Sequence, residues 1–102
     1  MNKFDKGQES SNIVGDLIFN LTCSACPEQY DVYQKHSASE YTQVGYVRLR
    51  WGSLRCDYPD CGGETILLED ISDEGHGMFD NEKSRAKWLK KIADTIWEKI
   101  NE

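Results

Sequence analysis

The pattern of apolar and polar residues is typical of β-strands in two early segments. In the second segment apolar and polar residues alternate, as they do in a strand that buries one of its faces. The first begins at Ile13 and runs through GDLIFNLT, and the second is EQYDVYQ, residues 28–34. A cysteine pair separates them. The pattern therefore predicts two strands joined at a cysteine-bearing turn. The next segment, KHSASEYTQ, residues 35–43, has no clear period and predicts a loop.

A hairpin is predicted over VGYVRLRWGSLRCDYPD, residues 44–60, because Gly52 and Ser53 separate two alternating runs. Glycine at the first central position suits a two-residue type II′ loop. With this loop, Arg50 would lie directly opposite Arg55. One face of the hairpin would carry Val47, Leu49, Trp51, Leu54, Cys56 and Tyr58. The other face would carry Tyr46, Arg48, Arg50, Arg55 and Asp57.

The last part of the chain predicts a strand, a loop and a long helix. ETILLED, residues 64–70, is a short strand candidate, and ISDEGHGMFD, residues 71–80, is an acidic loop with two glycines. Apolar residues then recur at helical spacing, and Asp80 or Asn81 can cap the helix at its start. The apolar positions of this helix, predicted at about 81–101, are Leu89, Ile92, Ala93, Ile96 and Ile100.

These elements predict an α+β fold in which a small antiparallel β-sheet packs against one long C-terminal α-helix. Residues 1–12 are polar and predict a loosely ordered tail, so the single domain would span residues 13–102. Trp88 and Trp97 flank the apolar arc of the helix on opposite sides. Either both belong to the core, or one overhangs the sheet and forms an interface with a partner.

Composition and charge narrow the classes of function. The chain has 102 residues, of which 38% are hydrophobic, and a formal net charge of −6. Such a chain is a poor general binder of polyanions, because phosphate affinity comes mainly from accumulated Lys and Arg. The apolar run at residues 13–21 is short and interrupted, so we expect a cytoplasmic protein that does not enter a membrane.

Four cysteines form two pairs, and in a reducing compartment such pairs are more often metal ligands or redox groups than disulfides. Cys23 and Cys26 have two residues between them, and Cys56 and Cys61 have four. Short turns of this kind present two thiolates to one tetrahedral ion. The four cysteines therefore predict a structural Zn²⁺ site, and a complete shell of protein ligands leaves no open position for catalysis.

The cysteine pairs and their flanking strands resemble the zinc-ribbon class, in which two cysteine-bearing turns on hairpins hold one structural zinc. The matching residues are Cys23-Ser24-Ala25-Cys26-Pro27 and Cys61-Gly62-Gly63, with Cys56 as the fourth ligand, within residues 16–70. The second spacer is longer than the two residues usual in a ribbon. Cys56 is therefore either a ligand or a buried thiol, in which case His36 or His76 would complete the site. A redox role for Cys23 and Cys26 is a third option.

The arginines of the predicted hairpin form the second candidate site. Tyr46, Arg48, Arg50 and Arg55 would share an exposed face. Such a face is either solvated, with intramolecular ion pairs, or binds an anion. Arginines next to an aromatic residue also suit RNA or single-stranded DNA.

No catalytic motif stands out, and two histidines leave little scope for acid-base chemistry, so we expect that the protein is not an enzyme. The leading hypothesis is a small intracellular zinc-stabilised binding module for a protein partner, a regulatory factor associated with nucleic-acid machinery. Direct binding of RNA or single-stranded DNA is the alternative, and a C-x-x-C redox protein is the second. The sequence leaves the partner and the oligomeric state open, and a homo-oligomer is compatible with it.

Overall fold

The computed structural model describes residues 11–23, 28–71, 79 and 81–102, and within them the chain forms six strands followed by one helix. The elements are β1 (Ser11–Val14), β2 (Leu17–Cys23), β3 (Glu28–Lys35), β4 (Tyr41–Arg50), β5 (Ser53–Tyr58), β6 (Glu64–Asp70) and α1 (Glu82–Ile100). The strands form one antiparallel sheet in which each strand pairs with its neighbour in sequence. The predicted α+β fold, with one antiparallel sheet and one C-terminal helix, is confirmed.

The sheet begins before the predicted domain start at residue 13, because Ser11 and Asn12 already belong to β1. The first ten residues of the predicted tail lie outside the described part of the chain. Similarly, β4 starts at Tyr41, so the predicted loop of residues 35–43 is too long. In both places polar residues join a strand through backbone pairing with a neighbour, which a side-chain pattern does not reveal.

The loop of the β4–β5 hairpin lies one residue earlier than predicted. Its two residues are Trp51 and Gly52, with φ of 55° and 75°. Positive φ at both central positions is the signature of a type I′ loop, whose twist matches that of the strands. As a result, Arg48 and not Arg50 lies opposite Arg55.

This shift leaves most of the predicted faces of the hairpin unchanged. Val47 lies opposite Cys56 and Leu49 opposite Leu54, and all four are buried. When the loop moves by one residue, each strand residue pairs with a residue two positions away from its predicted partner. Residues two apart lie on the same face of a strand, so the composition of the faces does not change. Trp51 is the exception, since its place in the loop leaves it 79% exposed.

The hydrophobic core lies between α1 and one face of the sheet. The helix buries Leu89, Ile92, Ala93 and Ile96, which are central positions of its predicted apolar arc. Gly45 on β4 allows a close approach, because a Cβ there would lie 2.8 Å from Cδ1 of Ile96. The buried sheet residues of the core cluster are Leu17, Phe19, Tyr30, Val32, Val44, Val47, Leu49, Leu54, Cys56 and Leu67.

The helix predicted at about 81–101 is confirmed, with α1 beginning one residue after its cap. The side chain of Asn81 accepts a hydrogen bond from the backbone N–H of Ser84 at 2.8 Å, which satisfies a free donor of the first turn. Asp80, the other candidate cap, lies outside the described residues. Among the helical residues that are described, no stretch has the length and apolar character needed to cross a bilayer.

Candidate functional site

The outer face of the sheet, which is the side turned away from α1, carries the arginines predicted from the sequence. Arg48 and Arg55 lie directly opposite each other on β4 and β5. On its other side Arg48 lies opposite Gln29, and Arg55 lies opposite Leu68. These four residues, called the arginine row below, cross β3 to β6 with two positive charges and no acidic member.

Arg50 and Tyr46 occupy the neighbouring outer-face positions of β4. Arg50 is exposed and lies opposite Ser53, next to the hairpin loop. Tyr46 lies opposite Asp57, and its hydroxyl donates a hydrogen bond to Oε1 of Gln29. The structure therefore places all four residues of the predicted anion site on one face: Tyr46, Arg48, Arg50 and Arg55.

Asp57 holds Arg55 in place. This residue is only 2% exposed, and its Oδ1 accepts hydrogen bonds from Nε of Arg55 at 2.8 Å and from Oγ1 of Thr65 at 2.9 Å. Its Oδ2 accepts from the backbone N–H of Gly62 at 3.1 Å. Burial raises the pKa of Asp57, but the three hydrogen bonds outweigh burial and the pKa lies below its usual value. Asp57 is therefore ionised at neutral pH and orients the guanidinium of Arg55 through Nε.

The loop between β5 and β6 is shaped around Asp57. It contains a cis peptide bond between Tyr58 and Pro59. Gly62 has a φ of 89°, a conformation that favours glycine. A Cβ at Gly63 would lie 2.4 Å from the carbonyl oxygen of Tyr58, so a larger residue would displace the backbone. The two glycines therefore allow the loop to close over the Asp57 carboxylate.

Arg48 and Arg50 have no acidic partner in the described part of the chain. No carboxylate oxygen of these residues lies within 4.0 Å of either guanidinium, whereas Arg55 has Asp57. Like charges directly opposite each other destabilise a strand pair. An external anion bound at the arginine row would offset this repulsion.

The cysteines predicted as zinc ligands lie in different environments. Cys23 is half-buried at the end of β2, Cys56 is fully buried in the core, and Cys61 is exposed in the β5–β6 loop. Burial, with a smaller contribution from the charge of Asp57, raises the pKa of Cys56 to about 12. This placement of Cys56 corresponds to the buried-thiol alternative.

The topology separates Cys23 from Cys56 and Cys61. Successive strands of an antiparallel meander run in opposite directions, so β2, which ends at Cys23, and β5, which is followed by Cys61, end at opposite ends of the sheet. Cys23 and Cys56 are three strands apart, which is about 14 Å at the usual strand spacing. Two thiolates on one zinc ion lie within about 4 Å of each other. Among the residues that the structure describes, no three His, Cys, Asp or Glu side chains form a metal-binding group.

Two of the predicted ligands, Cys26 and His76, lie outside the described residues. His36 is exposed after β3, and its Nε2 lies 2.8 Å from Oγ1 of Thr42. The zinc site therefore stays a prediction, as does a redox role for Cys23 and Cys26. Elemental analysis of the purified protein tests the site, because one zinc per chain supports it and a folded, metal-free protein contradicts it.

Trp88 and Trp97, the predicted partner interface, are both half-buried at the edges of the core. Nε1 of Trp97 donates a hydrogen bond to the carbonyl oxygen of Gly15. The ammonium groups of Lys87 and Lys91 lie 5.1 and 5.3 Å from the ring of Trp88, within the range of cation–π attraction. Both indoles thus have partners within the chain, which favours a packing role.

A buried ion pair between the sheet and the helix was not predicted from the sequence. Glu28 is 1% exposed and accepts hydrogen bonds from Nε of Arg85 at 2.8 Å and from the hydroxyl of Tyr30 at 2.5 Å. The backbone N–H of Phe79 also donates to it, at 3.3 Å. Burial, followed by the hydrogen bond and charge of Glu28, raises the pKa of Tyr30. Glu28 and Arg85 are 57 residues apart, so no local spacing could indicate the pair.

The role of Asp57 was also missed, although its sequence position gave a partial signal. Asp57 was placed on the charged face of the predicted hairpin, but its bonds to Gly62 and Thr65 depend on how the chain returns as β6.

Comparison with known proteins adds no functional assignment. No family model matches the chain, and no curated protein or solved structure shows a significant match.

Proposed function

We propose that the protein is a non-catalytic binding module that holds an acidic segment of a partner protein on the outer face of its sheet. The observation that carries the proposal is the arginine row, in which Arg48 lies directly opposite Arg55 without an acidic member. Asp57 contacts only one of the two guanidiniums. A carboxylate from outside the chain would relieve their repulsion and form charge-assisted hydrogen bonds.

The residues beside the arginine row support a protein partner. Trp51 is 79% exposed in the hairpin loop, and Leu68, a member of the row, is 64% exposed. Tryptophan and arginine are the residue types that most often anchor protein interfaces. The net charge of −6 repels every polyanion, and it disfavours a nucleic acid more than a short acidic segment, because a nucleic acid carries a charge on each nucleotide along its whole length.

The proposal does not depend on zinc. The arginine row is positioned by the pairing of β3 to β6 and by Asp57, and none of these contacts involves a thiol. A zinc site, if elemental analysis finds one, would be a separate feature that stabilises the domain.

Titration calorimetry with a hexaglutamate peptide tests the proposal. The variant R48Q/R50Q removes two guanidiniums that have no ion pair among the described residues, so we expect the fold to persist and affinity to fall at least about tenfold. The matched control is K83Q/K90Q, which makes the same change of net charge on α1. We expect the control to bind the peptide within about twofold of the unmodified protein.

Equal losses of peptide affinity in R48Q/R50Q and K83Q/K90Q would show non-specific charge attraction and contradict the proposal. A twelve-residue deoxythymidine oligonucleotide tests the alternative in parallel. Tighter binding of the oligonucleotide than of hexaglutamate, falling steeply with salt and lost in R48Q/R50Q, would replace the acidic peptide by single-stranded nucleic acid.

A further inference from the structure

We propose that the group recognised at the arginine row is a phosphoryl group on a serine, threonine or tyrosine of the partner protein, with Asp57 as the residue that positions Arg55. This inference rests on the proposed function and names its ligand more closely. It follows from the charge of the row, from the spacing of its two arginines and from the way in which one of them is held.

The charge of the row together with that of the adjacent Arg50 suits a dianion better than a carboxylate. Arg48 and Arg55 are flanked in their row by Gln29 and Leu68, which are uncharged. A carboxylate carries one negative charge, and a phosphoryl group carries about −1.5 to −2 at neutral pH. Asp57 already accepts from Nε of Arg55, yet it leaves Arg48 without an ion pair among the described residues. Because Asp57 already balances Arg55, the guanidiniums without an ion pair in the described part of the chain are those of Arg48 and Arg50, and a phosphoryl group would compensate their two charges.

The spacing of the two arginines suits a tetrahedral group. Residues directly opposite each other on paired strands have Cβ atoms about 4.5–5.5 Å apart. Two guanidiniums that start from this separation can converge on one small anion above the sheet. A carboxylate has two oxygens and is satisfied by a single guanidinium in bidentate geometry. A phosphoryl group has three terminal oxygens and can accept from both arginines together.

Asp57 gives the site its preorganisation. Its bond to Nε of Arg55, at 2.8 Å, fixes one edge of the guanidinium and leaves the terminal nitrogens to bind a ligand. Asp57 is itself fixed by Thr65 at 2.9 Å and by Gly62 at 3.1 Å. An arginine that is already oriented loses less conformational entropy when it binds. The glycine-rich loop after β5 therefore contributes to ligand binding through Asp57.

The first experiment compares three nine-residue peptides that differ only at a central residue, which is phosphoserine, glutamate or serine. We expect the phosphoserine peptide to bind at least about tenfold more tightly than the glutamate peptide, and the serine peptide to bind weakest. Equal binding of phosphoserine and glutamate peptides would overturn this inference and leave the proposed function intact. Failure of both acidic peptides to bind would overturn both.

Inorganic phosphate identifies the source of the phosphoryl group. We expect it to bind much more weakly than the phosphoserine peptide, because Leu68 and Trp51 offer contacts only to a peptide chain. Binding of inorganic phosphate as tightly as of the peptide would show a free-anion site and overturn the assignment to a partner protein.

The second experiment separates the roles of individual arginines. R48Q should reduce affinity for the phosphoserine peptide at least about tenfold, whereas K83Q, which removes one charge from an exposed position of α1, should change it less than about threefold. R55K keeps the charge and loses the planar fork, so we expect the preference for phosphoserine over glutamate to fall while the thermal midpoint is retained.

The D57N variant tests the positioning role. We expect it to lower phosphopeptide affinity and, in NMR spectra, to shift the Nε–H signal of Arg55. If D57N fails to fold, R55K provides the test, because a lysine at position 55 keeps the positive charge and can keep the contact with Asp57. An unchanged preference for phosphoserine in R55K would overturn the inference.

Discussion

At the scale of single residues, Asp57 shows how one buried carboxylate organises its surroundings. Three donors from β5, the following loop and β6 converge on it. Their combined effect lowers its pKa despite its burial. A group whose pKa is lower in the folded than in the unfolded state stabilises the fold when it is ionised.

Replacing Asp57 by Asn should therefore lower the free energy of unfolding at neutral pH by about 1–3 kcal/mol. Asp57 contributes its full stabilisation at pH values above the pKa that it has in the unfolded chain, about 3.9. This stabilisation is lost as the pH falls through the lower pKa that Asp57 has in the folded protein. Urea unfolding of both proteins between pH 3 and 7 measures this. We expect the difference between them to be constant above about pH 5 and to shrink below about pH 4. A difference that grows on acidification would contradict the assigned role.

The thiols of Cys56 and Cys61 should differ in reactivity, because the thiolate is the nucleophile and only one thiol reaches solvent. Cys56 is fully buried with its pKa raised to about 12, and Cys61 is exposed. We expect iodoacetamide at pH 8 to label Cys61 at least about tenfold faster in the native protein. Mass spectrometry of the digested protein gives both rates, and labelling in urea, where the rates should converge, is the control. Comparable native rates would place Cys56 outside the core.

At the scale of elements, Glu28 and Arg85 join the start of β3 to the first turns of α1. A buried carboxylate without its partner costs far more than the intact pair contributes. Glu28 keeps bonds from Tyr30 and Phe79, but neither brings a positive charge. The ion pair therefore makes the docking of the helix depend on one arginine.

The variant R85M should lose about 3 kcal/mol in the free energy of unfolding, because the buried carboxyl group of Glu28 would be left without its positive partner. The double variant E28Q/R85M should recover part of this loss, since a neutral Gln can still accept from Tyr30. Chemical unfolding measures both. The matched control is K83M, an exposed position on the same helix, which should change stability by less than about 0.5 kcal/mol. Similar losses in R85M and K83M would show that the pair has no special role.

At the scale of the whole molecule, one helix covers one face of the sheet, whereas the arginine row and Arg50 on the outer face remain at least partly exposed. The described core is closed by α1 and includes Cys56 as an apolar member. This arrangement separates the residues that hold the molecule together from the residues proposed to bind a partner. It also makes Cys56 the residue whose replacement distinguishes core packing from metal binding.

The variant C56A should lower the free energy of unfolding by about 1 kcal/mol through the small cavity that it leaves. It should have the same zinc content as the unmodified protein, whatever that content is, because the thiol lies in the core and away from Cys23. Elemental analysis and urea unfolding on the same preparations measure both quantities. Loss of one bound zinc per chain in C56A, together with unfolding, would restore Cys56 as a ligand.

Local patterns predicted a large part of the fold. Helical spacing and the cap at Asn81 are set within a few residues, so α1 was predicted to within one residue at each end. Alternation likewise identified which residues of β4 and β5 face the core. The candidate anion site was predicted for the same reason, because Arg48, Arg50 and Arg55 share a face in any register that preserves the alternation.

The amino-acid sequence by itself thus determined which residues of β4, β5 and α1 share a face, because a face follows a period that neighbouring residues set. Only the tertiary structure decided which residues meet. It moved the hairpin loop to Trp51 and Gly52, set Arg48 against Arg55, and brought Arg85 to Glu28. These outcomes depend on how distant segments pack together, and packing is a property of the assembled chain that no local period contains.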